Sequence, residues 1–364
     1  MPCDEVGYQQ YFAEIAAKVG TGRAPLNAII ELTERCNLRC RHCYIHDPAQ
    51  DHLVRSRELT AEQWYRILDE LAETGCLWMT WTGGEILLRP DFADLYRYAK
   101  RKGFLIVLFT NGTLLTPELV ALFQEWYPHY LEITLYGMTA ETYERVTGVR
   151  GSYEKCLRGI EALMNAGIPL RLKTVGMTLN KHELPAMYDY ASSLDVDFRH
   201  DSVLRPTFHG QDIRDLRLSP EEVVDLDLVR PDAQDAFEMA LQHALDSVQD
   251  NPLYDPERLY NCGAGFRTFH IDPYGQLTMC HMIRSPGYDL TAGTFQDGWE
   301  DFLAGIRSVT INKDVACRHC EVQGLCVRCP AFAGLENGDP ETVVEYACAI
   351  AHLRAELLRS GERI

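Results

Sequence analysis

A strand followed by a helix recurs six times along the first part of the chain, and this rhythm limits the fold more than any other feature of the sequence. Apolar or alternating runs lie at Asn27 to Leu32, Leu77 to Trp81, Phe104 to Phe109, Leu131 to Leu135, Leu170 to Val175 and Val196 to Val203. Between them Ala61 to Glu73, Asp91 to Arg101, Pro117 to Trp126, Tyr153 to Asn165 and Glu183 to Ser193 have helical spacing, with Gly75, Gly103 and Gly167 as C-cap signals. Strands separated by helices make a parallel sheet. The third run, FLIVLF, is apolar throughout, whereas the fourth sets Glu132, Thr134 and Tyr136 against Leu131, Ile133 and Leu135. The fifth sets Arg171 and Lys173 against Leu170 and Leu172, and the sixth sets Asp197, Arg199 and Asp201 against Phe198 and His200. A sheet buried on both faces has no room for such a charged side. The expected fold class is therefore α/β, a partial (β/α)6 TIM-like barrel with a polar lumen. Its charges Glu132, Arg171, Lys173 and Asp201 either pair with one another or meet a substrate.

Past Pro206 the rhythm stops. SPEEVVDLDLVRPDAQDAFEMALQHALDSVQD reads as two helices broken at Pro231, and from Asp255 onward seven cysteines occupy a region with few long periodic runs. Such a small, loop-rich C-terminal domain depends on metal for stability. The expected division is an N-terminal helix in 1–25, around Tyr8 to Val19, the barrel in 26–210, a helical bridge in 211–254 and the cysteine-rich domain in 255–364. No internal repeat is visible.

With 35 Lys and Arg against 53 Asp and Glu, the net charge of -18 repels nucleic acid. There is no signal peptide and no run long enough for a membrane span, so the sequence reads as cytoplasmic. In that compartment thiols stay reduced, and an odd total of thirteen cysteines suits metal binding better than a disulfide framework.

Three of those cysteines sit directly after the first strand, in LTERCNLRCRHCY, where parallel α/β folds place their chemistry. Cys36, Cys40 and Cys43 fit a tetrahedral zinc completed by His42 or His46, or an iron-sulfur cube with one open iron. The second strand ends in WTGGE, where Gly83 and Gly84 allow a close approach of backbone to ligand and Glu85 offers a carboxylate at the same rim. Alone, that segment also reads as a plain Gly-Gly turn before a helix. Together the two motifs resemble those of radical S-adenosylmethionine (SAM) enzymes. The resemblance implies that Cys36, Cys40 and Cys43 ligate three irons of a 4Fe-4S cluster, and that the GGE segment holds the amino group of SAM bound at the fourth iron. It also implies reductive cleavage of SAM to methionine and a 5'-deoxyadenosyl radical that abstracts hydrogen from substrate. His42 stands where the family has an aromatic residue near the adenine, and Asn111 in FTNGT matches a second position near SAM. Thr134 in ITLYG takes the place of a family serine, with Tyr136 in place of an aspartate. Asn111 also fits a simple Asn-Gly turn.

The C-terminal cysteines form a second pattern. Cys262, Gly275 and Cys280 are followed by CRHCEVQGLCVRC, which holds Cys317, Cys320, Cys326 and Cys329, and then by Cys348. Paired CxxC units fit a zinc knuckle. Beside the first motifs the pattern resembles the SPASM extension of radical SAM enzymes, although two residues, Val327 and Arg328, stand where three are usual before the sixth cysteine. The resemblance implies an outer auxiliary cluster on Cys317, Cys320, Cys326 and Cys348, and an inner one on Cys262, Cys280 and Cys329 that lacks a fourth cysteine. Three 4Fe-4S clusters in all are then expected. Of the remaining cysteines, Cys76 and Cys156 read as packing residues and Cys3 as idle.

Enzymes with this extension mostly modify ribosomally made peptides or proteins, so the resemblance implies a peptide or protein substrate and a flavodoxin- or ferredoxin-type electron donor. About 25 residues precede the first strand, too few for a fused peptide-binding domain, so a separate leader-binding protein is expected if one is needed. An alternative is chemistry on an anionic metabolite such as a tetrapyrrole side chain, served by Arg171, Lys173, Arg199 and Arg205. A second alternative is a zinc-stabilised binding protein without catalysis. Strand alternation points to Tyr136 and Asp201 as catalytic contacts at the barrel mouth.

Overall fold

The computed structural model describes residues 14–15, 17–20, 22–45, 47–229, 239 and 255–360. Most of the expected N-terminal helix, the second bridge helix, Cys3 and His46 lie outside the described residues. The first six strands of the main sheet are β1 (Asn27–Thr33), β2 (Trp78–Gly83), β3 (Leu105–Thr110), β4 (Tyr130–Thr134), β5 (Leu170–Val175) and β6 (Asp197–Asp201). They pair in parallel in chain order, with Asn27 opposite Trp78 and Lys173 opposite Arg199. The helices that connect or flank them are α1 (His52–Arg57), α2 (Ala61–Glu73), α3 (Phe92–Arg101), α4 (Pro117–Glu125), α5 (Ala140–Thr147), α6 (Ser152–Asn165) and α7 (Leu184–Ser193). Then follow α8 (Pro220–Asp227), α9 (Pro330–Asn337) and α10 (Glu345–Ser360). The sheet does not close on itself, so the barrel is partial. Among the described residues no helix is long and apolar enough to cross a membrane.

The helices form where the pattern places them because capping and periodicity agree. Thr60 and Gln63 make a reciprocal capping box at the start of α2, and Trp64, Ile67, Leu68 and Leu71 then fall on one buried stripe. In α3 the buried set is Phe92, Leu95, Tyr96 and Ala99, and Lys100 and Arg101 close the helix against its C-terminal dipole. Trp81 of β2 meets Phe92 and Tyr96 edge-on, which locks α3 onto the sheet.

The C-terminal region does not stand apart from this sheet. Residues Thr268–Ile271 form β7, which pairs in parallel with the free side of β1, Asn27 opposite Thr268. Strand β8 (Gln276–Thr278) returns antiparallel to β7, and β9 (Tyr288–Asp289) follows it, giving one nine-stranded sheet. The expected loop-rich domain thus contributes three strands to the barrel's own sheet. The turn between β7 and β8 is made by Asp272, whose Oδ1 accepts from the amides of Tyr274 and Gln276, both at 2.9 Å, and by Gly275 at φ 88°.

Of the four charges expected to pair with one another, Glu132 and Lys173 do so, whereas Arg171 and Asp201 take other partners. Glu132 is buried between Lys173, 2.9 Å away, and Arg199, whose Nε donates at 3.0 Å. Burial pushes the Glu132 carboxyl up, yet the two cations prevail and hold it below its usual value, while burial pushes Lys173 down to about 8. Arg171 faces the N-terminal end of the strands, away from the mouth, and pairs with Asp197 over the Tyr130 ring.

Candidate active site

The loop after β1 is clamped to the loop after β2 by backbone alone. Gly84 N–H donates to the Thr33 carbonyl at 2.7 Å and Glu85 N–H to the Arg35 carbonyl at 2.9 Å. A Cβ on Gly83 would lie 2.2 Å from the Thr33 carbonyl oxygen, and one on Gly84 would lie 2.3 Å from that of Arg35. The close approach that requires these glycines is therefore to the chain's own cysteine loop. Arg35 anchors the same loop from below, its guanidinium forking onto the buried Glu58 carboxylate at 2.8 and 3.0 Å.

Glu85 departs from expectation. Its carboxylate is not at the rim but fully buried, accepting from Thr110 Oγ1 at 2.8 Å, Asn111 N–H at 2.8 Å and Leu87 N–H at 3.1 Å. Burial pushes its pKa up, and these three donors oppose the rise. Its role is to hold the turn that carries Asn111. That side chain donates to Asn37 Oδ1 at 2.9 Å and reaches toward the Cys36 sulfur at 3.8 Å, so the Asn-Gly turn and the cysteine loop are one hydrogen-bonded unit.

Cys36, Cys40 and Cys43 all line a cavity of about 470 Å³ at the C-terminal ends of the strands. His42, Gly83, Gly84, Asn111, Thr134, Tyr136 and Asp201 line it too, so of the expected cofactor-binding and catalytic residues only Glu85 stands behind its wall. Burial pushes the Cys36 thiol up to about 12 and Cys43 up to about 11, and it raises Cys40 as well. Three thiols are thus buried together, and among the described residues carboxylates act on them, Glu85 on Cys36 and Glu31 and Glu34 on Cys43. A positively charged metal group would supply the missing charge and ionise them. Among the described residues no three Cys, His, Asp or Glu side chains close around one point, as a tetrahedral zinc requires. A 4Fe-4S cube takes each thiolate on a separate iron, a demand that three cysteines on one cavity wall suit. The His42 ring packs edge-on to Tyr136 with centroids 5.0 Å apart, and its Nδ1 is buried without a hydrogen-bond partner. Tyr136 is itself buried against Cys40. Asp201 is exposed at the mouth, accepting from Val203 N–H at 2.9 Å and pairing with Arg205 at 3.4 Å.

The C-terminal cysteines divide in space into two groups. Cys317, Cys320, Cys326 and Cys348 line one small pocket of about 60 Å³. Cys262 and Cys329 instead act electrostatically on Cys280, whose thiol burial lifts to about 11. Cys76 and Cys156 are buried in the core.

Two features were not singled out in the sequence. The first is His281, which lines the main cavity directly beside Cys280. The second is a buried network at the seam between β1 and the C-terminal region. There Arg284 forks onto Glu31 at 2.7 and 2.9 Å, His270 Nε2 lies 3.5 Å from the same carboxylate, and Tyr44 donates to it at 3.4 Å. Residues 31 and 284 give no local signal of their pairing; only the charged Glu31 within an otherwise apolar strand hinted at a partner.

Residues 30–191 match the Radical SAM superfamily. The chain is 35% identical over 189 residues to an AdoMet-dependent heme synthase of Methanosarcina barkeri, a match that covers 52% of this chain and 53% of that one. It thus spans about half the length of that relative. It is 29% identical over 356 residues to the PqqA peptide cyclase of Bradyrhizobium diazoefficiens, covering 93% of this chain and 90% of that one. In fold it is similar to Streptococcus suis SuiB bound to the precursor peptide SuiA, with a TM-score of 0.69 at 16% identity, covering 95% of this chain and 82% of that one.

Proposed function

Because residues 30–191 form a radical SAM domain, we propose that this chain reductively cleaves SAM and uses the resulting radical to abstract hydrogen from a ribosomally made peptide or protein. The observation that carries the reading is the trio Cys36, Cys40 and Cys43, three thiols buried on one cavity wall. The peptide substrate is supported by the likeness to a peptide cyclase over 93% of the chain.

A 4Fe-4S cluster on these thiols supplies the single electron that SAM cleavage needs. The chain's own residues do the rest. Glu85 and Asn111 fix the wall opposite the cysteine loop, so the site is set before any ligand arrives. Gly83 and Gly84 expose backbone to the cavity, which suits the amino group of SAM. His42 and Tyr136 close the inner wall with aromatic surface and keep water from a reactive carbon radical. Thr134 and Lys173 face the same space and suit polar parts of the bound molecules, and Asp201 at the mouth suits substrate contact.

The cations that an anionic tetrapyrrole would require are already engaged. Lys173 and Arg199 hold Glu132, Arg171 holds Asp197, and Arg205 holds Asp201. That engagement favours the peptide over the metabolite. The C-terminal cysteines are proposed to hold two auxiliary clusters, with Cys317, Cys320, Cys326 and Cys348 on the outer and Cys262, Cys280 and Cys329 on the inner. A flavodoxin- or ferredoxin-type donor, and a separate leader-binding protein if the peptide needs one, complete the proposed system.

The test is anaerobic reconstitution followed by iron, sulfide and zinc analysis and assay of SAM cleavage. About twelve irons per chain, with 5'-deoxyadenosine released under reduction, are expected for three four-iron clusters. Zinc alone, with no SAM cleavage, would refute the reading and revive the zinc-stabilised binding protein.

A further inference from the structure

Helix α5 (Ala140–Thr147) meets the cysteine loop at one end and the loop after β5 at the other. At its C-terminal end the Thr147 carbonyl accepts from Arg39 N–H at 2.8 Å, and the Val146 carbonyl accepts from Arg41 N–H at 3.2 Å. Last-turn carbonyls have no partner within their own helix, so the loop amides satisfy groups that α5 cannot. Those two amides flank Cys40. Gly148, in the left-handed region at φ 66°, lets Arg39 pass close, since a Cβ there would lie 3.0 Å from the Arg39 carbonyl oxygen. The contacts of Gly84 and Glu85 hold the start of the cysteine loop at Thr33 and Arg35, and α5 holds its middle.

The N-terminal end of α5 is fixed by one carboxylate. Glu183 Oε1 accepts from Thr139 Oγ1 at 2.7 Å and from Thr142 Oγ1 at 2.6 Å, while Oε2 accepts from Thr139 N–H at 3.1 Å and from Met138 N–H. The exposed His182 ring lies 3.6 Å from Oε1 through its Nε2. A Cβ on Gly137 would lie 2.9 Å from Oε2, so the chain entering the helix runs directly over the carboxylate. Three residues earlier, Asn180 Nδ2 donates to the carbonyls of Tyr136 at 3.2 Å and Val175 at 3.0 Å, and its Oδ1 accepts from Met177 N–H at 2.8 Å. One short segment, Asn180 to Glu183, thus holds both Tyr136 on the cavity wall and the helix that carries the middle of the cysteine loop. Eight helical residues span about 12 Å as one stiff rod, so a shift at the first turn carries to the last.

We infer that Glu183 is a positioning residue: by anchoring the N-terminal end of α5 it sets, through the helix, where Cys40 lies relative to the cavity wall at Tyr136. The inference deepens the proposed function and rests on it for the cluster that Cys36, Cys40 and Cys43 would hold. Productive geometry between reacting groups is lost with displacements of about 1 Å, so a loosened α5 costs rate rather than binding.

The experiment compares the wild type with Glu183→Ala, Glu183→Gln and Thr142→Val. Glutamine can keep all four contacts, its oxygen accepting from the two amides and its NH2 donating to the two threonine hydroxyls, which accept as well as donate. Alanine removes them all, and Thr142→Val removes one at similar volume. In the chain without iron, hydrogen-deuterium exchange of Glu183→Ala is expected to rise in the segments containing residues 39–41 and 138–147 and to match the wild type in β2 and β3. Glu183→Gln should stay near the wild type and Thr142→Val should lie between. After reconstitution, Glu183→Ala is expected to bind as much iron as the wild type but to release 5'-deoxyadenosine with kcat lower on the order of ten-fold and KM for SAM within about two-fold, and Glu183→Gln to recover most of the rate. Wild-type exchange at residues 39–41 in Glu183→Ala, a rise spread over the whole sheet, or a glutamine variant as damaged as the alanine one would overturn the inference. Should Glu183→Ala fail to fold, Thr142→Val decides by the same exchange pattern. Absence of SAM cleavage in the wild type would defeat the proposed function, whereas the exchange comparison, made without iron, still decides the role of Glu183.

Discussion

Arg284→Met is expected to destabilise the protein far more than removal of a surface cation. The Glu31 carboxylate is fully buried and has Arg284, His270 and Tyr44 around it. Burial alone would push its pKa up; instead His270 and Arg284 bring it down from 4.5 to about 2. That difference is worth about 3 kcal/mol at 1.36 kcal/mol per pKa unit. It agrees with the ~3–5 kcal/mol lost when one partner of a buried ion pair is removed. Methionine fills most of the arginine's volume, so little of the loss is cavity formation. Urea unfolding at pH 7, followed by tryptophan fluorescence, is expected to give a loss of about 3 kcal/mol for Arg284→Met. Replacing both partners, in Glu31→Gln with Arg284→Met, is expected to cost less than the single change, because no buried charge is left uncompensated. The pH dependence has a definite sign. A depressed carboxylate pKa contributes stability that is full above 4.5 and is lost as pH falls toward about 2, so the gap between wild type and Arg284→Met should narrow below pH 4.5. A loss under 1 kcal/mol, or a double variant as damaged as the single, would refute the reasoning.

Four further outcomes follow from the same geometry. Gly84→Ala places a methyl 2.3 Å from the Arg35 carbonyl oxygen and must push the cysteine loop aside, so iron bound at the first site and SAM cleavage should both fall. Gly75→Ala, with open space around it and φ at +83°, should cost only about 1 kcal/mol and leave iron content unchanged. Cys348→Ser should remove roughly four irons per chain while the SAM-cleaving site survives, which quantitative iron analysis and a deoxyadenosine assay would separate. Trp64→Ala, at the centre of the buried face of α2, should cost about 3–5 kcal/mol in denaturant unfolding, and a loss under 1 kcal/mol would contradict its burial.

The barrel was legible because its signals are local. Helix α2 runs over the same Ala61–Glu73 that periodicity indicates, since Thr60, Gln63 and the buried stripe all lie within one short segment. Strand β5 likewise spans Leu170–Val175 as read. Helix α5 was overlooked although Thr139 caps it, because its eight residues carry only a short apolar stripe. Strands β7 and β8, of four and three residues, fall below the length at which alternation is informative, though the Asp-Pro-Tyr-Gly turn between them was a usable sign. At the site, spacing picked out the residues that line the cavity but not the direction of every side chain. Glu85 turns inward because three donors await it there, and those donors come from two different segments. The pairing of Glu31 with Arg284 joins parts of the chain that no local pattern connects.

The position of β7 beside β1 bears on the order in which the protein can be made. Strand β1 is made before the other strands of the main sheet, yet the partner for one of its sides is Thr268–Ile271, far later in synthesis. Until that segment emerges, the nascent barrel keeps an apolar strand with an open row of amides and carbonyls, and Glu31 on that strand awaits Arg284 and His270. Strand β1, which leads into the cysteine loop, thus gains its second neighbour and the cation for Glu31 only once the C-terminal region has been translated.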